Sequence, residues 1–239
     1  MNILAIGCHP DDLEIGCGGT LARYAKQGHT VIMCHIANGD MGHVEIMPEE
    51  LNKIRTKEAE DAGKILGAKE VISLNVSDLY LNHYDDKIRQ ELTRVIRYTK
   101  PAFIISHSPD DYMQDHREAG AFAFDVSFGS SVTHYASSSE AYDGIVPIYY
   151  MDTLAGINFI PSLYVDISET IEIKLKALSC HESQIKWLKE HDHIDFLDFV
   201  KTCSKYRGLQ SNCAFAEGFR QCLTWPRIRS TELPPFQSI

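Results

Sequence analysis

Short apolar runs alternate with amphipathic stretches along most of this chain. Residues 3–6 form an unbroken apolar run, as a strand buried on both faces requires, and residues 20–27 repeat their apolar positions at helical spacing. Residues 30–37 read as a second buried strand, Pro48 followed by two glutamates opens a helix that runs to Leu66, and residues 70–74 make a short third strand. A helix over 85–100 carries Ile88, Leu92, Val95 and Ile96 on one face and stops at Pro101, after which 102–106 is a fourth strand. Another helix reaches about Phe128, the Ser- and Gly-rich stretch 129–144 reads as a mobile loop, and 146–150 and 162–167 are later strands. Ser168 is placed to cap a helix through about Cys180, and residues 182–223 look largely helical. This alternation predicts an α/β fold: a doubly wound, mostly parallel sheet flanked by helices, with right-handed crossovers.

In such a sheet the loops at the carboxyl ends of the strands line the ligand crevice, and two of them are dense in polar groups. His9-Pro-Asp-Asp12 follows the first strand, and His107-Ser-Pro-Asp-Asp-Tyr-Met-Gln-Asp-His116 follows the fourth. His9 and Asp12 can reach one divalent metal while Pro10 stiffens the turn, which leaves Asp11 to take a proton from a water activated there. His116 can complete the set. Two imidazoles and one carboxylate with an open position suit catalytic zinc, and equally the facial triad of non-haem iron, so the metal stays open. The plainer reading, helix capping by the aspartates and a core or helix-start role for His116, explains each residue alone better than it explains them together. Arg55 and Glu58, three apart on a helix, read plainly as a surface ion pair of little worth. His35, His83, His134, His181, His191 and His193 carry no pattern of their own.

Composition narrows the partners. With 33 acidic against 23 basic residues and a net charge of −10, a general nucleic-acid or membrane-surface binder is disfavoured, and a small-molecule substrate is the expected partner. No run approaches the roughly 18 apolar residues of a membrane span, and residues 1–7 lack the regions of a signal peptide, which points to the cytoplasm. The seven cysteines include no C-x-x-C pair and read as reduced thiols. Tyr149, Tyr150 and Phe159 could serve a homo-oligomeric self-contact or a core.

His9-Pro-Asp-Asp12 with the following Gly18-Gly19, and Asp115-His116 about a hundred residues on, resemble the PIG-L/LmbE-like family of metal-dependent N-deacetylases. Arg55-x-x-Glu58, Glu182-Ser-Gln184 and Ala216-Glu-Gly-Phe219 are similar to that family too, so the resemblance spans nearly the whole chain. It implies a single domain over 1–239 with a Rossmann-like fold, in which 182–239 is a helical C-terminal extension. It also implies a zinc-dependent hydrolase that removes an N-acyl group, usually acetyl, from N-acetylglucosamine or a related amino-sugar conjugate. By the same resemblance His9, Asp12 and His116 bind the metal, Asp11 is the general base and Arg55 lies near substrate, while Asp115, next to His116, is placed to orient a ligand or the partner of Asp11.

One position departs from the family. Many members read His-Pro-Asp-His where this chain reads Met113-Gln-Asp-His116, and a thioether cannot give a proton. Tyr112, His107 and His134 are the nearest replacements, with His134 expected on a lid closing over substrate and Tyr112 at the substrate itself. Two rival readings follow. Met113 suits a non-catalytic metal- or ligand-binding protein that kept the site; Gly16-Cys-Gly-Gly19 after a strand suits a dinucleotide-binding oxidoreductase, although Leu21 stands where that motif needs glycine.

Overall fold

A computed structural model of the chain describes residues 1–136 and 138–227. Seven strands form one sheet: β1 (Asn2–Gly7), β2 (Thr30–Ala37), β3 (Glu70–Val76), β4 (Phe103–Ser106), β5 (Ile148–Met151), β6 (Leu163–Asp166) and β7 (Ala216–Gln221), in the order β3-β2-β1-β4-β5-β7-β6. The first five strands are parallel, as the alternation predicts, while β7 is antiparallel to both β5 and β6. Ile3 and Ala5 face one core and Leu4 and Ile6 the other, because side chains alternate across a sheet and here both faces are covered. All seven cysteines are free. No helix among the described residues is long and apolar enough to cross a membrane.

Seven helices, α1 (Asp12–Lys26), α2 (Pro48–Leu66), α3 (Asp86–Thr99), α4 (Gln114–Gly129), α5 (Ile171–Leu178), α6 (Glu182–His191) and α7 (Phe196–Ser211), complete the described fold. The helix expected over 20–27 begins eight residues earlier, at Asp12, so Gly16, Gly18 and Gly19 lie inside it. Glycine weakens a helix, and packing overrides that cost here: a Cβ on Gly16 would meet the Met151 sulfur at 2.6 Å, and one on Gly19 would meet Ile167 at 2.7 Å. These glycines therefore seat α1 against the sheet, and the phosphate-cradling turn of a dinucleotide site is not built. Ser168 does not cap α5; its hydroxyl bonds the Asp166 carboxylate at 2.6 Å, and the helix starts after Thr170.

Two other expectations change. The C-terminal extension is not wholly helical, since after α6 and α7 the chain returns as β7, between β5 and β6. Its register fits the burial of Glu217, whose carboxylate accepts the N–H groups of Gly19 at 2.9 Å and Thr20 at 2.8 Å and the ammonium of Lys174 at 2.6 Å. Lys174 in turn donates to the Ile15 carbonyl at 2.7 Å, so an ion pair from α5 and β7 is threaded into the backbone of α1. In the stretch expected as a mobile loop, 129–144, the Arg97 guanidinium donates to the carbonyls of Ser130, Val132, Tyr135, Ala136 and Ser139, which anchors those described residues to α3. Tyr150 and Phe159 lie in the core, which removes them from any self-contact, while Tyr149 packs edge-on against Phe103.

Candidate active site

β1 and β4 are neighbours whose chain continues to opposite sides of the sheet, and the crevice at such a switch point is where ligands bind in open α/β folds. Both polar loops open onto it. After β1 the backbone turns sharply at Asp11, whose φ of 106° is strained for a residue other than glycine. Backbone strain of this kind, worth about 1–3 kcal/mol, persists where neighbours over-determine it, and here Arg55 donates to both the Pro10 carbonyl and Asp11 Oδ2, the latter at 3.2 Å. Gly39 completes the clamp. Its carbonyl accepts from Arg55 Nη1 at 3.2 Å, and a Cβ there, at φ +77°, would lie 2.5 Å from the guanidinium.

Asp12 is the hub. Its Oδ2 lies 3.3 Å from His9 Nδ1 and its Oδ1 3.2 Å from His116 Nε2. Each imidazole has a carboxylate on its far nitrogen: Asp115 Oδ2 lies 3.3 Å from His9 Nε2, and Asp111 Oδ2 lies 3.3 Å from His116 Nδ1. Carboxylates that orient metal-binding imidazoles in this way are the usual outer layer of a metal site. Asp115 is fixed further by the Leu79 N–H at 2.7 Å, and Asp111 by the Met113 N–H at 2.9 Å. Asp111 escaped the sequence reading, because a second aspartate in Asp110-Asp111 carries no spacing signal until α4 turns His116 back over it.

Burial works against charge throughout this cluster, yet Asp12 is held well below the usual carboxylate range by His116 and His107. His116 is raised to about 9 despite burial, chiefly by Asp12 and Asp111, and His9 is raised well above the ordinary range, against burial, by Cys8, Asp115 and Asp12. Asp11 goes the other way: burial pushes it up to about 6, with Arg55 opposing and Asp12 adding to the rise.

The residues fit a divalent cation. His116 Nε2 is buried with no hydrogen-bond partner although it faces Asp12 Oδ1 at 3.2 Å, an orphaned buried nitrogen that a metal between the two would satisfy. Potential ligand atoms of Asp12, His107 and His116 lie within 4.8 Å of one another, as do those of Cys8, His9 and Asp12. The two groups share Asp12, and the expected ligands His9 and His116 fall one in each. His107 Nε2 accepts the Cys8 N–H at 3.0 Å and lies 3.3 Å from Asp12 Oδ2.

Other expectations divide. His107 is stacked behind His116, with ring centroids 4.1 Å apart, and does not line the cleft. His134 is exposed on the turn beyond α4, and the 16 residues of that helix, about 24 Å, carry it away from the site that α4 begins beside. It is not a lid residue. Tyr112, Met113 and Arg55 do line the cleft, with Asp11, Asp78 and Gln184. The surface pair of Arg55 with Glu58 is not formed: Arg55 is buried on Asp11, and Glu58 accepts the Ser183 N–H at 2.8 Å and hydroxyl at 2.7 Å.

Two imidazoles and a carboxylate with a second carboxylate beside them are residue types that a metal-assisted hydrolase uses. Comparison with known proteins makes this specific: the chain belongs to the PIG-L family, described as GlcNAc-PI de-N-acetylase, whose pattern matches residues 4–127. The diacetylchitobiose deacetylase of Thermococcus kodakarensis is 30% identical over 91% of this chain and 82% of that protein. The solved diacetylchitobiose deacetylase of Pyrococcus horikoshii superposes with a TM-score of 0.81 at 28% identity, covering 92% of this chain and 83% of that one. A Pseudomonas putida 4-carboxy-2-hydroxymuconate hydratase, also at a TM-score of 0.81 but 23% identical over 97% of this chain and 99% of its own, shares the fold. The chain is accordingly an enzyme of the deacetylase class, a hydrolase of carbon–nitrogen bonds.

Proposed function

We propose that this protein is a zinc-dependent hydrolase that removes an N-acyl group from an amino sugar or a related conjugate. The observation that carries the reading is the convergence of His9 and His116 on the two oxygens of Asp12, with Asp11 held beside them by Arg55. The similarity to diacetylchitobiose deacetylases supports an amino-sugar substrate. His9, Asp12 and His116 would hold the metal, and a bound divalent ion supplies a water acidic enough to lose its proton near neutral pH.

The chain's own groups do the rest. Asp11, with one oxygen on Arg55, takes the proton of the attacking water as a carbon–oxygen bond forms at the amide carbonyl. It then returns that proton to the nitrogen as the carbon–nitrogen bond breaks, giving a carboxylic acid and a free amine. Asp115 and Asp111 hold His9 and His116 in place. Tyr112 is the one member of the three expected donors that lines the cleft, and its hydroxyl takes the role that Met113 cannot fill. Tyr112→Phe should then lower turnover about tenfold, about 1.4 kcal/mol of transition-state stabilisation, with metal content unchanged.

The test is metal content measured together with acetate release from N-acetylglucosamine conjugates. One zinc per chain and stoichiometric acetate are expected, and His116→Ala should abolish both. A protein that binds zinc at this site and releases nothing would be the non-catalytic binding member instead.

A further inference from the structure

The cleft beside the Asp12 cluster measures about 500 Å³, and its two halves differ in chemistry. Arg55, Asp78 and Gln184 line it where the β2 and β3 loops approach, whereas Met113, Leu154 and Ile157 line it after β4 and β5. Phe199 of α7 lies with Leu154, and Leu188 of α6 and Ile194 of the α6–α7 connection add to the apolar lining. The sheet order dictates this division, because β2 and β3 lie on one side of β1 while β4 and β5 lie on the other. His9, Asp12 and His116 stand at the boundary.

An amide held at that boundary must send its nitrogen substituent into one half and its acyl substituent into the other. Sugar hydroxyls need hydrogen-bonding partners, which Arg55, Asp78 and Gln184 concentrate in the first half. Apart from the Tyr112 hydroxyl beside the cluster, the apolar lining offers none. A single acetyl methyl group would leave most of it uncovered, including Ile157 and Ile194, which are 48% and 40% exposed. Met113 extends the apolar wall up to the cluster itself, and its unbranched thioether adapts to chains of differing shape.

We infer that the enzyme is a de-N-acylase whose preferred substrate is an amino sugar bearing a medium-length aliphatic acyl chain, seated between the Leu154–Gly156 turn and α6–α7. The inference rests on the function proposed above and adds the acyl group's class to it. It also gives the substitution at Met113 a use, since an imidazole in the acyl half would place a polar group against the chain.

The experiment compares N-acetyl-, N-butyryl- and N-hexanoylglucosamine with the zinc-loaded enzyme. Each methylene buried should raise kcat/KM about three- to fourfold, so the hexanoyl compound, with four more methylenes, should exceed the acetyl compound about tenfold if two of them are covered and about 80-fold or more if all are. Ile157→Asn should bring that ratio below about threefold. Independently of turnover, calorimetry on Asp11→Asn should show the hexanoyl compound binding more tightly than the acetyl one, with a more negative heat-capacity change. Equal rates and equal binding for the two would overturn the inference while leaving N-deacetylation standing. A gain from an alkyl aglycone on N-acetylglucosamine, with none from a longer acyl chain, would also overturn it by reversing the orientation. If no acyl group is released from any compound, the hydrolase reading itself falls, and the calorimetric comparison still decides the chain preference.

Discussion

Asp11→Asn is expected to retain one metal per chain and to lose turnover by about 100-fold or more, the range for removal of a general base. The proposed ligands are untouched by this change. Asparagine is also a residue that tolerates the left-handed backbone, so the turn at φ 106° should survive where alanine would strain it further. What is lost is the proton-accepting oxygen. The Arg55 guanidinium also loses its ionic partner, although its bonds to the Pro10 and Gly39 carbonyls remain to hold the loop. Metal content by atomic emission and acetate release on the same preparation separate the two effects. Activity near that of the parent enzyme would show that another group takes the proton, and Asp115, already engaged by His9 and the Leu79 N–H, is poorly placed to do so.

The parts of the fold legible in the sequence are those governed by local pattern. β1, β2 and α2 come from unbroken apolar runs and from Pro48 with its early acids, and their expected bounds differ little from the observed ones. The start of α1 was not legible. Three glycines in four residues argue for a turn by propensity, and only the approach of Met151 and Ile167, from distant parts of the chain, makes them helical. β7 was hidden for a similar reason: Ala216 to Gln221 has no strong strand signal, and its place is set by pairing with β5 and β6.

The site divides along the same line. His9, Asp11 and Asp12 sit in one turn, and His116 opens a helix after a strand, so topology alone brings them together. His134 looked eligible because its loop is rich in Ser and Gly, yet the carbonyls of that loop are gathered by one arginine from α3. Arg55 looked like half of a surface pair, whereas its true partner is 44 residues away in sequence. Spacing reports neighbours on one helix. It is silent on which of them is buried.

The largest loss of stability should come from Glu217→Ala, far from the chemistry. Glu217 is 3% exposed, and it neutralises Lys174, itself 1% exposed, while accepting two backbone N–H groups of α1. Removing one partner of a buried pair leaves the other charged without compensation, which costs about 3–5 kcal/mol. Here the Gly19 and Thr20 N–H groups lose their side-chain acceptor as well, which places the variant toward the upper end of that range. For a protein of this size the thermal midpoint should fall by roughly 10 °C, read by differential scanning calorimetry. Lys174→Met in the same chain should recover part of the loss, because it removes the orphaned ammonium even though the α1 N–H groups stay unmet. That recovery is what distinguishes an uncompensated charge from a simple cavity. A cavity left by Glu217 would be deepened or unchanged by the second substitution, whereas an isolated ammonium is relieved by it. If Glu217→Ala alone shifts the midpoint by less than about 2 °C, then water or a shifted Lys174 has taken over the carboxylate's bonds. The glycines of α1 would in that case owe their place to Met151 and Ile167 alone.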